Sequence, residues 1–386
     1  GASFRKPTAS ELLRDGEGSG RIRLMLEGEG RLIEMGLDFS GGKRSFTRNG
    51  KKTRAAGIRG VLPSVLFCPD HLDMVKRSAS RRREALDSFG VQLNENYAKL
   101  LAAYERTVEQ RNNLLRDGYA PGLLEVWDES LATTGAQLLL HRTALLERIR
   151  EHFIEVYRAI APHEEPDVRY VPSFGELAGG REAIAAQFLD ALAQRREDEL
   201  RRGCTLVGPH RDEVLFTIDG RSARDFGSQG QQRSIVLAWK IAEVQVTRDI
   251  LGRYPLLLLD DVMSELDAAR RDAIVGFIAD EIQTVITTTN LGYFADDVLA
   301  RARVIRIGDV NGDGCKLHIR TWRRRENDVG KVTKKGRLKA TAGLGEFINS
   351  EKMRLFDGAT PERQAQFRRA ERRHVIFQAW NKVCAG

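Results

Sequence analysis

Residues 21–53 alternate apolar and polar positions with a period of two: Ile22, Leu24 and Leu26, then Ile33, Met35, Leu37 and Phe39. Successive strand residues face opposite sides, so this pattern predicts strands with one buried face. The breaks at Glu27-Gly28-Glu29-Gly30, Ser40-Gly41-Gly42 and Asn49-Gly50 are turn chemistry, and Asn-Gly is the pair favoured in a two-residue hairpin. An antiparallel meander is expected. Residues 61–70 read as a buried strand closed by Pro69, with a helix starting at Asp70. From about 84 to 202 the period becomes helical. Tyr97, Leu101, Tyr104, Val108 and Leu115 mark one helix, and Leu138, Leu145, Ile149, Phe153, Val156 and Ile160 a second. Gly118 and Pro121-Gly122 separate the two, and residues 162–180 interrupt before a third helix carried by Ile184, Phe188 and Leu192. This predicts an antiparallel helical arm inserted into a sheet domain.

Beyond the arm, Thr205-Leu206-Val207-Gly208-Pro209-His210-Arg211-Asp212 leads into a strand over 214–218 and a turn at Asp219-Gly220. Leu256-Leu257-Leu258-Leu259-Asp260-Asp261 reads as a strand buried on both faces whose carboxyl end presents two acids. Strand-like runs return at 284–289, 304–307 and 316–322. The fold class is α/β.

Composition narrows the setting. No apolar run approaches the roughly 20 residues needed to span a bilayer, and the first residues lack the apolar core of a signal peptide. A soluble protein in the cytoplasm is expected. Cys68, Cys204, Cys315 and Cys384 lie far apart, which predicts neither a disulfide framework nor a zinc site. The net charge of +8 is concentrated at one end: residues 321–386 hold 16 Lys/Arg against 7 Asp/Glu. Such a tail suits a polyanion, or serves as a solvated linker. Lys76, Arg77 and Arg81-Arg82-Arg83 form a second basic cluster, read as a solvated helix face in preference to a phosphate contact. Asp309-Val310-Asn311-Gly312-Asp313-Gly314 opens like a calcium loop, but its twelfth position is Arg320 where a bidentate acid is needed, so a hairpin turn is expected.

The chemistry concentrates in residues 227–267. Gly227-Ser228-Gln229-Gly230-Gln231-Gln232-Arg233 is a short glycine-rich turn ahead of a helix, a place where backbone N–H groups meet an anion. Asp260 is suited to hold Mg²⁺, directly or through water, and Asp261 to orient a water against a γ-phosphate. Ser264-Glu265-Leu266-Asp267 follows at once. His210 beside Arg211 and Asp212 reads first as a structural network, with its place before the second group of strands raising a functional role.

The turn at 227–233 resembles the signature motif of ABC-type ATPases, with Gly230 and Gln231 matching its glycine and glutamine and Gln229 replacing a glycine. Residues 256–261 resemble their Walker B strand and 264–267 their D-loop. Together with Gly208-Pro209-His210-Arg211-Asp212, Leu258-Leu259-Asp260-Asp261-Val262-Met263-Ser264-Glu265-Leu266-Asp267, Val65-Leu66-Phe67-Cys68-Pro69-Asp70-His71-Leu72 and Glu109-Gln110-Arg111-Asn112, the chain resembles the RecF family of recombination mediators over about residues 1–308.

That resemblance implies a two-lobed ABC/SMC-type ATPase head with an inserted helical arm. Residues 1–80 would be its first part, 81–202 the arm, 203–322 its second part, and 323–386 a basic linker with a short helical segment. It implies ATP and Mg²⁺ as cofactors and an ATP-dependent homodimer. Ser228, Gln229, Gly230, Gln231 and Gln232 would face the partner subunit's nucleotide and Asp260 and Asp261 the chain's own side, with Ser264, Asp267 and Thr289 further nucleotide-binding candidates. It implies DNA at single-strand/duplex junctions as ligand, RecO and RecR as partners, slow hydrolysis, and help in loading recombinase at gaps.

Two departures qualify these expectations. The family's P-loop is missing, Gly1 corresponding to a point beyond it, so ATP binding by this chain is expected to be weak or absent. Where many ABC ATPases carry a histidine, Thr287-Thr288-Thr289-Asn290 resembles the RecF form instead. In the tail, residues 373–384 are faintly similar to DciA-type replication proteins. A DNA-binding scaffold without turnover is the second expectation, and a transporter's nucleotide-binding subunit the third, for which the long arm and basic tail are awkward.

Overall fold

A computed structural model describes residues 8, 10–13, 16–28, 31–118, 122–278, 282–307 and 317–322. The basic tail, the segment similar to DciA-type proteins, the 309–314 turn, Cys315 and Cys384 lie outside the described residues. In chain order the elements are β1 (Ser19–Gly28), β2 (Arg31–Ser40), β3 (Lys43–Arg48), β4 (Lys51–Thr53), β5 (Ser64–Phe67), α1 (Asp73–Lys76), α2 (Ala79–Leu93), α3 (Glu95–Asp117) and α4 (Leu123–Ile160). Then come β6 (Pro166–Val171), α5 (Arg181–Arg202), β7 (Glu213–Ile218), β8 (Arg221–Ser222), α6 (Ala223–Phe226), α7 (Gln229–Leu251) and β9 (Leu256–Asp260). The last are α8 (Ala268–Ile278), β10 (Thr284–Thr288), α9 (Asp296–Arg301), β11 (Ala302–Ile307) and β12 (Leu317–Trp322). They group into two bodies. One takes the described residues up to 66, then 255–267 and those from 274 on; the other takes 67–254 with 268–273.

In the first body the two-residue period becomes an antiparallel sheet in the order β1-β2-β3-β4. Its register pairs Ile22 with Leu37 and Leu37 with Phe46, so these apolar residues share one face and pack with Leu12, Leu13 and Phe39. Asn49 (φ 49°) and Gly50 (φ 74°) both adopt the left-handed backbone that a two-residue turn between β3 and β4 requires. A second, mixed sheet runs β11-β12-β10-β9-β5. β9 and β10 are parallel, and the last four residues of β9 are all buried, as a strand covered on both faces demands.

In the second body α3, α4 and α5 pack through Tyr97, Tyr104, Leu131, Ala132, Leu138, Phe188 and Leu192. Gly135 makes room for α5, since a Cβ there would sit 2.6 Å from the Phe188 ring. The interruption at 162–180 contains a strand, β6, which pairs antiparallel with β7 in the order β6-β7-β8. α7 is buried on nearly every side, with Trp239 edge-on to Phe216 at 5.4 Å between centroids. A helix apolar all round is a core helix. Within that core Lys240 and Glu243 bridge at 2.9 Å, and Trp239 donates its ring N–H to Glu243 at 2.7 Å. No helix among the described residues is long and apolar enough to cross a membrane.

Candidate nucleotide site

In the first body, Asp260 is the last residue of β9 and is 8% exposed. The parallel register places Thr287 of β10 opposite it, and the Thr287 hydroxyl donates to Asp260 Oδ1 at 2.7 Å. The same hydroxyl accepts the Asp261 N–H at 3.1 Å. Thr287 thus clasps both acids, a role that becomes visible only once the strands are in register. Asp261 sits at φ 51°, left-handed backbone that costs a non-glycine residue free energy and is common at functional sites. Its Oδ1 is buried without a hydrogen-bond partner among the described residues. Burial pushes the Asp261 carboxyl up from its ordinary value, with Glu265 adding to the rise and Ser264 opposing it. The Ser264 hydroxyl donates to the Asp261 carbonyl at 2.8 Å. Asp267 and Thr289 are exposed, one just ahead of α8 and the other just past β10.

Two adjacent acids with an unsatisfied oxygen fit a hard cation. Mg²⁺ commonly takes one or two carboxylates and completes its shell with water and phosphate oxygens. The described residues hold no cluster of three or more His, Cys, Asp or Glu that could ligate a metal by themselves, so a Mg²⁺ here would need those other oxygens.

In the second body, Ser228 caps α7. Its hydroxyl accepts the Gln231 N–H at 3.2 Å, and Gln231 Oε1 accepts the Ser228 N–H at 2.8 Å, a reciprocal capping box. The Ser-x-x-Gln spacing therefore builds the helix start, while Ser228 and Gln229 remain exposed. Gln232 is buried. Its amide donates to the Gly227 and Ala223 carbonyls, and its Oε1 has no partner among the described residues. Arg270, in the first turn of α8, donates to Ser234 Oγ at 2.8 Å, and Ser234 donates to the Gly230 carbonyl at 3.2 Å. A Cβ on Gly230 would come 3.3 Å from the Arg270 guanidinium. The first turn of α8 is in this way bonded to the start of α7.

The 205–212 segment is fixed from three helices. Arg111, fully buried on α3, donates to Asp128 (2.6 Å), Glu199 (2.6 Å) and the Thr205 hydroxyl (2.9 Å). Asn112 accepts the Thr205 N–H at 2.7 Å. Arg142 of α4 holds Asp87 through two bonds and donates to the Tyr170 hydroxyl and the Pro209 carbonyl. Asp212 accepts from the Tyr170 hydroxyl at 2.8 Å and the Ser173 N–H at 2.7 Å. His210 Nδ1 meets the Tyr104 hydroxyl at 2.8 Å, and Nε2 lies 3.2 Å from the Thr205 carbonyl. A carbonyl can only accept, so Nε2 carries the proton and Nδ1 accepts from Tyr104. Burial pulls the imidazole down to about 4. Arg211 points its guanidinium at the same Thr205 carbonyl. His210, Arg211 and Asp212 are therefore each tied by hydrogen bonds to neighbouring residues of this body. The Arg77–Arg83 cluster is likewise used internally. Arg82 pairs with Glu213 and three carbonyls, Arg83 donates to the Asp212 carbonyl, and Arg77 and Arg81 pair with Asp73 and Glu84.

No family model matches the chain. The DNA replication and repair protein RecF of Heliobacterium modesticaldum is 37% identical to it over 315 residues, covering 80% of this chain and 84% of that protein. RecF of Synechocystis sp. is 37% identical over 320 residues, covering 79% and 83%. The chain belongs to the RecF family. The solved structure of the recombination mediator protein RecF-ATPrS in the RecFOR pathway superposes with a TM-score of 0.69 at 29% identity, covering 75% of this chain and 80% of that one. The RecF-ATP structure gives a TM-score of 0.67 at 30% identity, covering 73% and 78%. The fold is the ABC/SMC-type ATPase head.

Proposed function

We propose that this chain is a RecF-type DNA replication and repair protein that binds DNA at single-strand/duplex junctions. In this reading it works as an ATP-closed homodimer with RecO and RecR, in the cytoplasm, and assists recombinase loading at gaps. Apart from family membership, the observation that carries the nucleotide part is the pair Asp260 and Asp261: adjacent, clasped by Thr287, with a buried Asp261 oxygen that has no hydrogen-bond partner among the described residues. Asp260 would hold Mg²⁺, directly or through water. Asp261, its carboxyl raised, is suited to accept a hydrogen bond from a water at the γ-phosphate. Mg²⁺, when bound, offsets the charge of the β- and γ-phosphates. The N-terminal turn of α7, Ser228 to Gln232, would take the phosphates of a partner subunit's nucleotide. Ser264, Asp267 and Thr289 would line the chain's own nucleotide. A ligand held between two copies stabilises only their closed arrangement, which is how nucleotide state would be coupled to DNA.

The 386 residues contain no Gly-x-x-x-x-Gly-Lys-Ser/Thr sequence, which ordinarily supplies the N–H cradle and the lysine for those phosphates. By itself this polypeptide would bind ATP weakly and turn it over little, and that favours a second reading, a DNA-binding scaffold. Gel shifts on a gapped duplex with and without Mg²⁺-ATP decide between them, using this chain and a form with a P-loop-bearing segment fused ahead of Gly1. Nucleotide-stimulated binding in the fused form alone is the expected result. Stimulation in both forms would sink the claim that ATP binding is impaired, and no DNA binding by either would sink the RecF-type function.

A further inference from the structure

Acidic residues stop at Asp38 and resume at Asp70. Between them lie seven cations, Lys43, Arg44, Arg48, Lys51, Lys52, Arg54 and Arg59, with no Asp or Glu. The chain as a whole carries 62 Lys/Arg against 54 Asp/Glu, so this imbalance is local. It falls on one edge of the first body. β4 is the outer strand of its sheet, and the register sets Lys51 opposite Arg48 and Lys52 opposite Thr47. All of these cations except Arg44 are exposed.

Elsewhere on that sheet Arg21 pairs with Asp38 and Arg23 with Glu34. Among the described residues, no ion pair involves Lys43, Arg48, Lys51, Lys52, Arg54 or Arg59. Arg48 donates to the Gly57 carbonyl at 3.3 Å, which leaves its charge uncompensated. Like charges directly opposite one another weaken a strand pair, so Arg48 and Lys51 are an electrostatic cost that a bound anion removes. Lysine on an edge strand also discourages strand pairing with other molecules. That role does not extend to Arg54 and Arg59, which lie beyond the strand.

The same stretch offers nothing for bases to stack on. Its aromatic residues are Phe39 and Phe67, both buried, and Phe46, packed against the Leu12, Leu37 and Phe39 cluster. Single-strand sites combine a basic groove with exposed aromatic platforms. Cations without aromatics suit the sugar–phosphate rails of a duplex.

We propose that the β3–β4 hairpin and the turn after it form a sequence-independent phosphate-binding edge for duplex DNA that acts without nucleotide. The inference deepens the DNA-binding reading above and rests on it. It assigns the duplex arm of a junction to Lys43, Lys51, Lys52, Arg54 and Arg59.

The test is fluorescence anisotropy with this chain, without ATP, on a blunt duplex, on one of its single strands and on a gapped duplex, in a salt series from about 50 to 200 mM. The hairpin variant carries Lys51→Gln, Lys52→Gln and Arg54→Gln. A control of equal charge change carries Arg181→Gln, Arg195→Gln and Arg201→Gln, exposed and ion-paired on α5. Each phosphate contact contributes about 0.9 to the log–log salt slope, so the hairpin variant is expected to lose between about two and three units of slope and at least tenfold in duplex affinity. The control keeps both, and circular dichroism melting confirms that each variant folds. An unchanged slope in the hairpin variant, an equal loss in the control, or tighter binding of the single strand than of the duplex overturns the proposal. If the hairpin variant still binds gapped DNA with the parent's slope, this inference alone fails. If the parent binds neither duplex nor gapped DNA, the DNA-binding reading fails with it.

Discussion

Replacing Arg111 with methionine removes a guanidinium that nothing nearby can substitute. Arg111 and Glu199 are both 0% exposed. After Arg111→Met, Asp128 keeps Arg196 at 2.6 Å, whereas Glu199 keeps one donor, the Leu206 N–H at 2.7 Å. The uncompensated charge is therefore that of Glu199. Removing one partner of a buried pair costs about 3–5 kcal/mol, because the other is left desolvated. The loss of the bond to the Thr205 hydroxyl, a fraction of that, places Arg111→Met toward the upper end. Against a typical total stability of about 5–15 kcal/mol, this is a major destabilisation. Adding Glu199→Gln neutralises the stranded charge, and the amide oxygen can still accept from Leu206. The double variant should recover about 2 kcal/mol or more of the loss. Urea unfolding followed by far-ultraviolet circular dichroism on the parent, both single variants and the double variant measures this. A cost below about 1 kcal/mol for Arg111→Met, or a double variant no better than the single, would refute the claim that charge compensation holds this cluster.

Gly208 has φ 114°, and a Cβ there would overlap the Phe188 ring and come 2.8 Å from the Tyr104 hydroxyl. Gly208→Ala should lower stability by about 3 kcal/mol or more, whereas Gly252→Ala, at φ 66° with open space around it, should cost only about 1 kcal/mol. Thermal melting of the two variants gives the comparison, and equal costs would deny the close approach. His210 titrates near 4 in the folded chain because burial disfavours its charged form, against about 6.5 unfolded. The unfolded chain therefore binds the extra proton between those values, so this contribution is present above about pH 6.5 and is lost as pH falls toward 4. One proton over that window removes about 2 kcal/mol between pH 7 and pH 5. His71, lowered by burial and by Lys240, acts in the same direction, so the parent minus His210→Gln difference in urea unfolding isolates His210. A His210→Gln variant with the parent's full pH dependence would contradict the assignment. In the P-loop-bearing form, Ser228→Arg should abolish ATP-dependent dimerisation in sedimentation while sparing ATP binding. Equal loss of both would mean that the capping box matters for folding alone.

Local patterns were legible because their causes are local. The period of two in Ile22 to Phe39 gave the meander, Asn49-Gly50 its hairpin, and the four leucines before Asp260 a strand covered on both faces. What stayed hidden depended on partners distant in sequence. β6 carries a proline and charged residues, Pro166-Asp167-Val168-Arg169-Tyr170-Val171, and becomes a strand by pairing with β7, far along the chain. Arg111 and Asn112 stood out as part of a motif, yet their work on Thr205 and Glu199 is set by the packing of α3 against α5. At 228–231 the Ser-x-x-Gln spacing serves as a helix cap whatever else the turn contacts. Thr287 looked like one threonine among three until the parallel register set it beside Asp260.

α7 is sheathed along its middle, Ser234 to Thr247, while Ser228 and Gln229 at its start lie open. A rod gripped along its shaft cannot swivel to bring its tip to a ligand, because any tilt would force Trp239, Phe216 and the Lys240–Glu243 bridge out of close packing. Ser228 and Gln229 thus travel only as far as the body that grips the rod. Whatever they meet must be approached by moving that body as one piece, and a substitution deep on the shaft, at Trp239 for example, should misplace the tip without touching it.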